Sequence, residues 1–470
     1  MRKMKGMAFV GLVTASLLGA AFAPRIVMAQ TAATPAEAPA PTPAPAFDKT
    51  AKSQAIAAAV KLLTDAYVFP DVGAKAAAML TQNLDAGKYD SAATPNDFAT
   101  QATQDLQDLT HDKHLRVMNF GPPPAPPASD STASKGPKSP PPPPGNIGFV
   151  KVARLKGNIG YIQLDAFMPR NAFRYGADPA MALVASTDAL IIDVRNNTGG
   201  DPAGVTYLDS FFFDSKAPVH VEDIVWRTEG THDFTTQSFM TEPTPVSYLD
   251  KPVYVIAGGE TFSGGEAFAY EMQAEKRATV VGQVTMGGAN PGQMNPIGSD
   301  LFLFVPTGRG DNPVTHGNWD GKGVQPDIAV EPDATFATAY GAALHDLGRP
   351  ATATDVSLDT VTDAQLVINT RTQPLPDSEA RLRQWIAGMA DGHPPEDIFT
   401  ADGAVEAAKV VSFLQKDIGR RGALKSLVFA EAGSNGGDVY DATFADDSSV
   451  QFTLFLTPDG KIDTVIGQPY

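Results

Sequence analysis

Residues 253–272, VYVIAGGETFSGGEAFAYEM, constrain the fold more than any other stretch of the chain. The first five form an unbroken apolar block rich in β-branched and aromatic side chains, as a strand buried on both faces requires. Gly258 and Gly259 stop that strand. Thr261-Phe-Ser263-Gly-Gly opens a new element, and residues 266–275 read as a helix. Ser263 therefore falls at a helix N-terminus, where unpaired N–H groups and the helix dipole favour negative charge. Two readings of Ser263 stand side by side. It is an N-cap, or it is a nucleophile whose oxyanion is held by neighbouring N–H groups.

The pattern around this stretch repeats. Residues 147–155 and 160–164 predict a hairpin about Lys156-Gly157-Asn158, followed by a helix near 170–185. Ala189-Leu-Ile-Ile-Asp-Val194 is a second buried strand, Asn196-Asn-Thr-Gly-Gly200 a turn, and 202–213 a helix. After the central strand and helix come a strand at 278–281, a Gly-rich turn at Gly287-Gly288 and a closing helix at 333–347. Repeated ββα units with parallel core strands define an α/β domain over 147–348. In such sheets ligands lie beyond the carboxyl ends of the strands, where both Gly199-Gly200 and Ser263 fall.

Three apolar stripes with helical spacing precede this domain within 48–120: Ile56, Val60, Leu63; then Ala76, Met79, Leu80, Leu84; then Phe98, Ala102, Leu106, Leu109. Thr94-Pro95-Asn96-Asp97 has the cap, first-position proline and first-turn acid of a helix start. Residues 121–146 hold runs of proline that support neither helix nor ladder, so they are expected to be an exposed linker. A second linker is expected at 349–375. From 376 to 470 two helices are followed by four alternating strands with turns at Gly436-Gly437, Asp446-Asp447 and Pro458-Asp-Gly460, a separate α+β accessory domain.

The N-terminus carries Arg2, Lys3 and Lys5, an apolar run over 7–23, and Val27-Met28-Ala29. That is the layout of a secretory signal peptide (1–29) cut before Gln30, so a periplasmic or secreted protein is expected, with no stable membrane span after cleavage. An Ala/Pro-rich spacer follows to residue 47. There is no cysteine, which excludes disulfides, thiolate catalysis and Cys-ligated zinc. The mature chain holds 32 basic against 53 acidic residues, a net charge of −21, and argues against nucleic acid and anionic membrane surfaces as partners. None of the seven histidines has a helical zinc spacing, so no metal or cofactor is expected.

A serine nucleophile needs a base and an orienting acid, joined in space rather than in sequence. His114, in Thr110-His-Asp-Lys-His-Leu-Arg-Val117, is a candidate base. Asp320, in Asn318-Trp-Asp-Gly-Lys-Gly-Val-Gln-Pro-Asp327, is a candidate acid. Each has an ordinary alternative: a structural histidine beside an apolar run, and a turn aspartate before Gly321.

At these residues the chain resembles peptidase family S41, the C-terminal-processing and tricorn-core group, in its interphotoreceptor-retinoid-binding-protein-like branch. The pieces that carry the resemblance are Tyr67-Val-Phe-Pro70 with Asp112-Lys-His-Leu115, then residues 190–200, 261–266, 281–288 and 321–327, in family order. The resemblance implies a ClpP/crotonase-like core behind an N-terminal helical module. It implies Ser263 as nucleophile, His114 as base, and an oxyanion hole from the N–H of Gly264 with that of Gly200 or Gly199. Asp320 lies near the place where that branch carries a glutamate orienting the base, one methylene shorter, and Glu266 is the second candidate acid. The Ser–Lys dyad of some members is absent, because the turn at Thr285-Met-Gly-Gly-Ala289 holds no lysine and Lys322 belongs to another motif. No segment resembles a PDZ domain. The C-terminal domain lies outside the resemblance and is loosely similar to cystatin/NTF2-type domains. The implied activity is a serine endopeptidase acting on unfolded polypeptides or protein tails. Alternatives are a catalytically silent protein binding apolar ligands or peptides in the same cleft, and crotonase-like acyl-CoA chemistry.

Overall fold

The computed structural model describes residues 47–120, 147–349, 373–433, 437–457 and 459–469. The expected signal peptide, the spacer after it, the Pro-rich 121–146 segment and nearly all of 349–375 lie outside these residues.

Three helices come first, each started by the chemistry at its N-terminus. In α1 (Lys49–Asp65) the Asp48 carboxylate accepts the Ala51 N–H at 2.9 Å. Helix α2 (Pro70–Asp85) begins on a proline, and α3 (Pro95–Thr110) on a reciprocal Thr94–Asp97 capping box. His111 ends α3 in a left-handed conformation, φ 58°, and turns the chain into a short strand, β1 (Arg116–Asn119).

The α/β domain is built on a six-stranded sheet. Its first strands are β2 (Phe149–Leu155), β3 (Ile159–Leu164) and β4 (Ala189–Asp193), with α4 (Arg170–Val184) between the last two. After β4 come α5 (Pro202–Asp209), β5 (His220–Arg227), β6 (Phe234–Met240), β7 (Val253–Ala257), α6 (Gly264–Ala274) and β8 (Thr279–Gly282). The strands β9 (Gly292–Gly298), β10 (Leu301–Pro306), β11 (Gly308–Asp311) and β12 (Ile328–Ala329) and helix α7 (Thr335–Asp346) complete it. The order β12-β8-β7-β4-β3-β2 is parallel except for the β2–β3 hairpin. Strands β4 and β7 are buried over all five residues, and their side chains alternate between two cores. Leu190, Ile192, Val253 and Val255 pack under α4, α5 and α6, whereas Ile191, Tyr254 and Ile256 meet Phe336, Tyr340 and Leu344 of α7.

Two features depart from the sequence-based expectation. The helical module is not self-contained: β1 pairs with β10, and Ile297, Leu301, Leu303 and Val305 of the β9–β10 hairpin lie in one core with Leu63, Leu80, Phe98 and Leu106. Second, residues 214–250, to which the sequence assigned no element, supply β5 and β6 of a separate β11-β5-β6 sheet.

The C-terminal part runs as expected: α8 (Ser378–Asp391), α9 (Ala401–Arg421), then the antiparallel meander β13 (Leu424–Ala432), β14 (Asp438–Phe444), β15 (Ser449–Leu456) and β16 (Ile462–Pro469). It docks on α4, where Phe455 stacks on Tyr175 at 4.4 Å between ring centroids and Asp463 pairs with Arg174 at 3.1 Å. No described helix is long and apolar enough to cross a membrane.

Candidate active site

Ser263 stands at the turn between β7 and α6. Thr261 anchors that turn to the neighbouring strand: its hydroxyl donates to the Val194 carbonyl at 2.8 Å and accepts the Gly258 N–H at 3.0 Å. Ser263 itself has φ 53° and ψ −120°, a conformation that costs a non-glycine residue on the order of 1–3 kcal/mol and persists only where the surroundings enforce it. The enforcing group is Glu266, fully buried one turn into α6. Its carboxylate accepts the N–H groups of Ser263 (2.9 Å), Gly287 and Gly288 (2.8 Å) and the Thr285 hydroxyl (2.5 Å). Burial raises its pKa while these four donors pull it down. Glu266 is thus a frame that fixes Ser263 against the Gly-rich turn. The Ser263 hydroxyl lies 2.9 Å from Nε2 of His114.

The loop after β4 packs against the serine. The Asn197 side chain spans it, with Nδ2 donating to the Leu164 carbonyl and Oδ1 accepting the Gly199 N–H at 2.8 Å. The Gly199 N–H is therefore engaged, whereas the N–H groups of Gly200 and Gly264 form no hydrogen bond among the described residues. A Cβ on Gly264 would lie 3.2 Å from the Gly200 nitrogen, and one on Gly199 would lie 2.6 Å from the Ser263 Cβ. Only glycine permits that approach at φ 104°.

His114 reaches the serine from the helical module. It is buried, 4 % exposed, with its ring stacked on Phe262 (4.4 Å) and Phe304 (5.7 Å). Burial, and then the charge of Arg116, lower its pKa to about 4, so the ring is neutral at physiological pH. A neutral imidazole that accepts at Nε2 carries its proton on Nδ1. That Nδ1 is buried and has no hydrogen-bond partner among the described residues.

Asp320 does not hold it, and here the structure corrects the sequence-based assignment. Its Oδ1 accepts the Ala289 N–H at 3.1 Å and its Oδ2 the Asn290 amide at 3.1 Å. The loop behind it is tied by Trp319, whose Nε1 donates to the Gly288 carbonyl. The short side chain is spent on the turn after the Gly-rich loop. Its contact with the base runs through residues that sequence reasoning gave no role. The same Asn290 amide donates to Asp112 Oδ2 at 3.0 Å, Tyr67 donates its phenol to that oxygen, and Asp112 Oδ1 accepts the backbone N–H of His114 at 3.0 Å. Asp112 is buried and close to Asp320, and burial first, that charge second, push its carboxyl up to about 6. Tyr67 and Asp112 lie in motifs the sequence analysis quoted, but no pattern distinguishes a carboxylate that holds a backbone N–H from one that holds a ring. Lys322 is exposed and far from this chemistry in role, with its N–H closing a turn onto Trp319.

Residues 158–330 match peptidase family S41, and residues 49–150 match the N-terminal domain of peptidase S41 in eukaryotic IRBP. Among curated proteins, a carboxy-terminal-processing protease of Bartonella bacilliformis is 27 % identical over 182 residues, 38 % of this chain and 40 % of the relative. The chloroplastic carboxyl-terminal-processing peptidase 2 of Arabidopsis thaliana is 28 % identical over 171 residues, 36 % of this chain and 31 % of the relative. The chain thus spans less than half the length of these relatives. Among solved structures, a putative peptidase from Parabacteroides merdae superposes with a TM-score of 0.42 at 18 % identity, over 63 % of this chain and 96 % of that one.

Proposed function

We propose that this chain, which belongs to peptidase family S41 through residues 49–330, is a serine endopeptidase acting on extended polypeptides through an acyl-enzyme. The observation that carries the reading is the 2.9 Å contact between His114 Nε2 and Ser263 Oγ. His114 takes the hydroxyl proton as Oγ attacks the scissile carbonyl, and the N–H groups of Gly264 and Gly200 receive the oxyanion. The imidazolium then protonates the leaving amine, and water, deprotonated by the same ring, releases the acyl product. Asp112 and Asp320, joined through Asn290, act on the base by holding the turn that carries it. The ββα core is read as ClpP/crotonase-like and the C-terminal meander as a cystatin/NTF2-like accessory domain. Residues 1–29 are read as a signal peptide that delivers the protein to the periplasm or the exterior.

One observation favours a second reading. A histidine with no carboxylate on Nδ1 and a pKa near 4 is a weak base, as a silent protein that binds peptides in the same cleft would have. Incubation of the mature protein and its Ser263→Ala variant with casein, followed by mass spectrometry, separates the two. The peptidase reading expects fragments from the parent, none from the variant, and covalent capture of Ser263 by a phosphonate probe. Tight peptide binding by both forms with neither cleavage nor capture would replace it with the binding reading.

A further inference from the structure

A cavity of about 440 Å³ opens beside the nucleophile, walled by Phe262 and Met286 and bordered by Thr198, which precedes the Gly199–Gly200 loop. Two cations face it. Lys113 is fixed there by its Nζ, which donates to the Met286 carbonyl. The Arg116 side chain is exposed, and its guanidinium enters no ion pair or hydrogen bond among the described residues, although this chain carries 53 acidic side chains against 36 basic ones. Elsewhere in the molecule Arg170, Arg174, Arg195, Arg349, Arg383, Arg420 and Arg421 each hold a carboxylate. The one acid on the cavity, Glu260, is exposed and pairs with neither cation. Phe262 on its wall directly precedes Ser263, and the two cations flank His114 in sequence, so the cavity borders the proposed site of cleavage.

From this juxtaposition we infer that the cavity is a specificity subsite for a substrate carboxylate, bound by the Arg116 guanidinium with Lys113 beside it. The inference rests on the peptidase reading and deepens it. Guanidinium and carboxylate match as a planar two-point pair. Glu260, on the same cavity, repels a carboxylate and so weakens the preference that the two cations create. The carboxylate can come from an Asp or Glu side chain or from a chain end, and the two sources are separable by experiment.

The test uses quenched fluorescent peptides built on the site mapped in casein, acetylated and amidated, with Glu, Gln or Lys at each of about three positions on either side of the scissile bond. A parallel set leaves the carboxyl terminus free. At one position the full-length enzyme should prefer Glu over Gln by about fivefold or more in kcat/KM, with Lys poorest. That ratio should fall towards one in Arg116→Gln, persist in part in Arg116→Lys, and rise in Glu260→Gln. It should shrink between about 0.05 and 0.5 M NaCl, because the groups are exposed. A gain confined to the free-carboxyl set assigns the subsite to a chain end. Equal rates for Glu, Gln and Lys at every position and with both termini overturn the inference. Fluorescence anisotropy of the same peptides on Ser263→Ala reads the preference without turnover, and phosphonate capture of Ser263 reports on the peptidase reading alone. Capture without any preference sinks the subsite and spares the peptidase. Preference in binding without capture or cleavage does the reverse.

Discussion

His114 owes its low pKa to burial between two aromatic rings and to the guanidinium two residues on. Only the neutral ring accepts a proton, so activity is lost as pH falls through the folded-state value. The acid limb of kcat/KM is therefore expected near pH 4 rather than at the ordinary imidazole value of about 6.5. A pH–rate profile checks this. A limb near 6 that disappears in Asp112→Asn would belong to Asp112, whose carboxyl is pushed up to about 6, and the limb near 4 would remain in that variant. A limb near 6 that survives in Asp112→Asn would contradict the burial argument. At this scale the sequence was partly legible. Ser263 and His114 were singled out as candidates, but the local pattern left an ordinary reading open for each, a cap and a structural histidine, and only the 2.9 Å contact between them joins the two. Asp320 was misread because proximity in a motif says nothing about which of several donors a short carboxylate meets, and one backbone and one side-chain donor, the Ala289 N–H and the Asn290 amide, take its two oxygens.

Between elements, the site depends on two loops that pass without side chains between them. Gly199 has φ 104°, and a Cβ there would lie 2.6 Å from the Ser263 Cβ and 3.1 Å from its Oγ. Gly199→Ala is expected to displace the serine or the Gly200 N–H. Cleavage should drop by about two orders of magnitude, with a far-ultraviolet spectrum like the parent's. Retention of most of the activity would show that the loop relaxes without moving the N–H groups. The strands β4 and β7 were legible because they read as unbroken apolar blocks. β6 was not: its residues Thr235, Thr236, Gln237 and Ser238 are polar and exposed on a sheet edge, so no alternation marks them. The long-range partner that fixes β5, the Gly308–Asp311 strand, arrives some eighty residues later.

The whole molecule carries a second charge problem away from the site. Asp209 at the end of α5, Glu222 on β5 and Glu271 on α6 are all buried, and no donor among the described residues reaches the four oxygens of Asp209 and Glu271. Burial raises all three; the charge of Asp209 adds to the rise of Glu222 and Glu271, while the Asp209 carboxyl is pulled back by Glu271 and pushed up further by the charge of Glu275. A carboxyl with a raised folded-state pKa contributes no penalty below the unfolded value of about 4; above it the unfolded chain releases the proton first and stability falls, levelling off past the folded pKa. Melting temperature should therefore decline from about pH 5 to about pH 9, and Glu271→Gln should flatten that slope and raise the melting point at the alkaline end. Parallel slopes in parent and variant would show that the three acids are not its source. The three-helix count, the α/β core and the C-terminal meander were all readable from periodicity, but the joining of module and core was not, since the β9–β10 hairpin lies some 190 residues beyond the helices it completes. That hairpin also sets a timetable. A chain released vectorially presents its helices long before residues 292–306 exist to close beneath them, and the imidazole of residue 114 has no ring of Phe304 to lean on until then. The wall against which the candidate base leans is thus made only when about two thirds of the chain exists, so the site is completed well after both His114 and Ser263 have been synthesised.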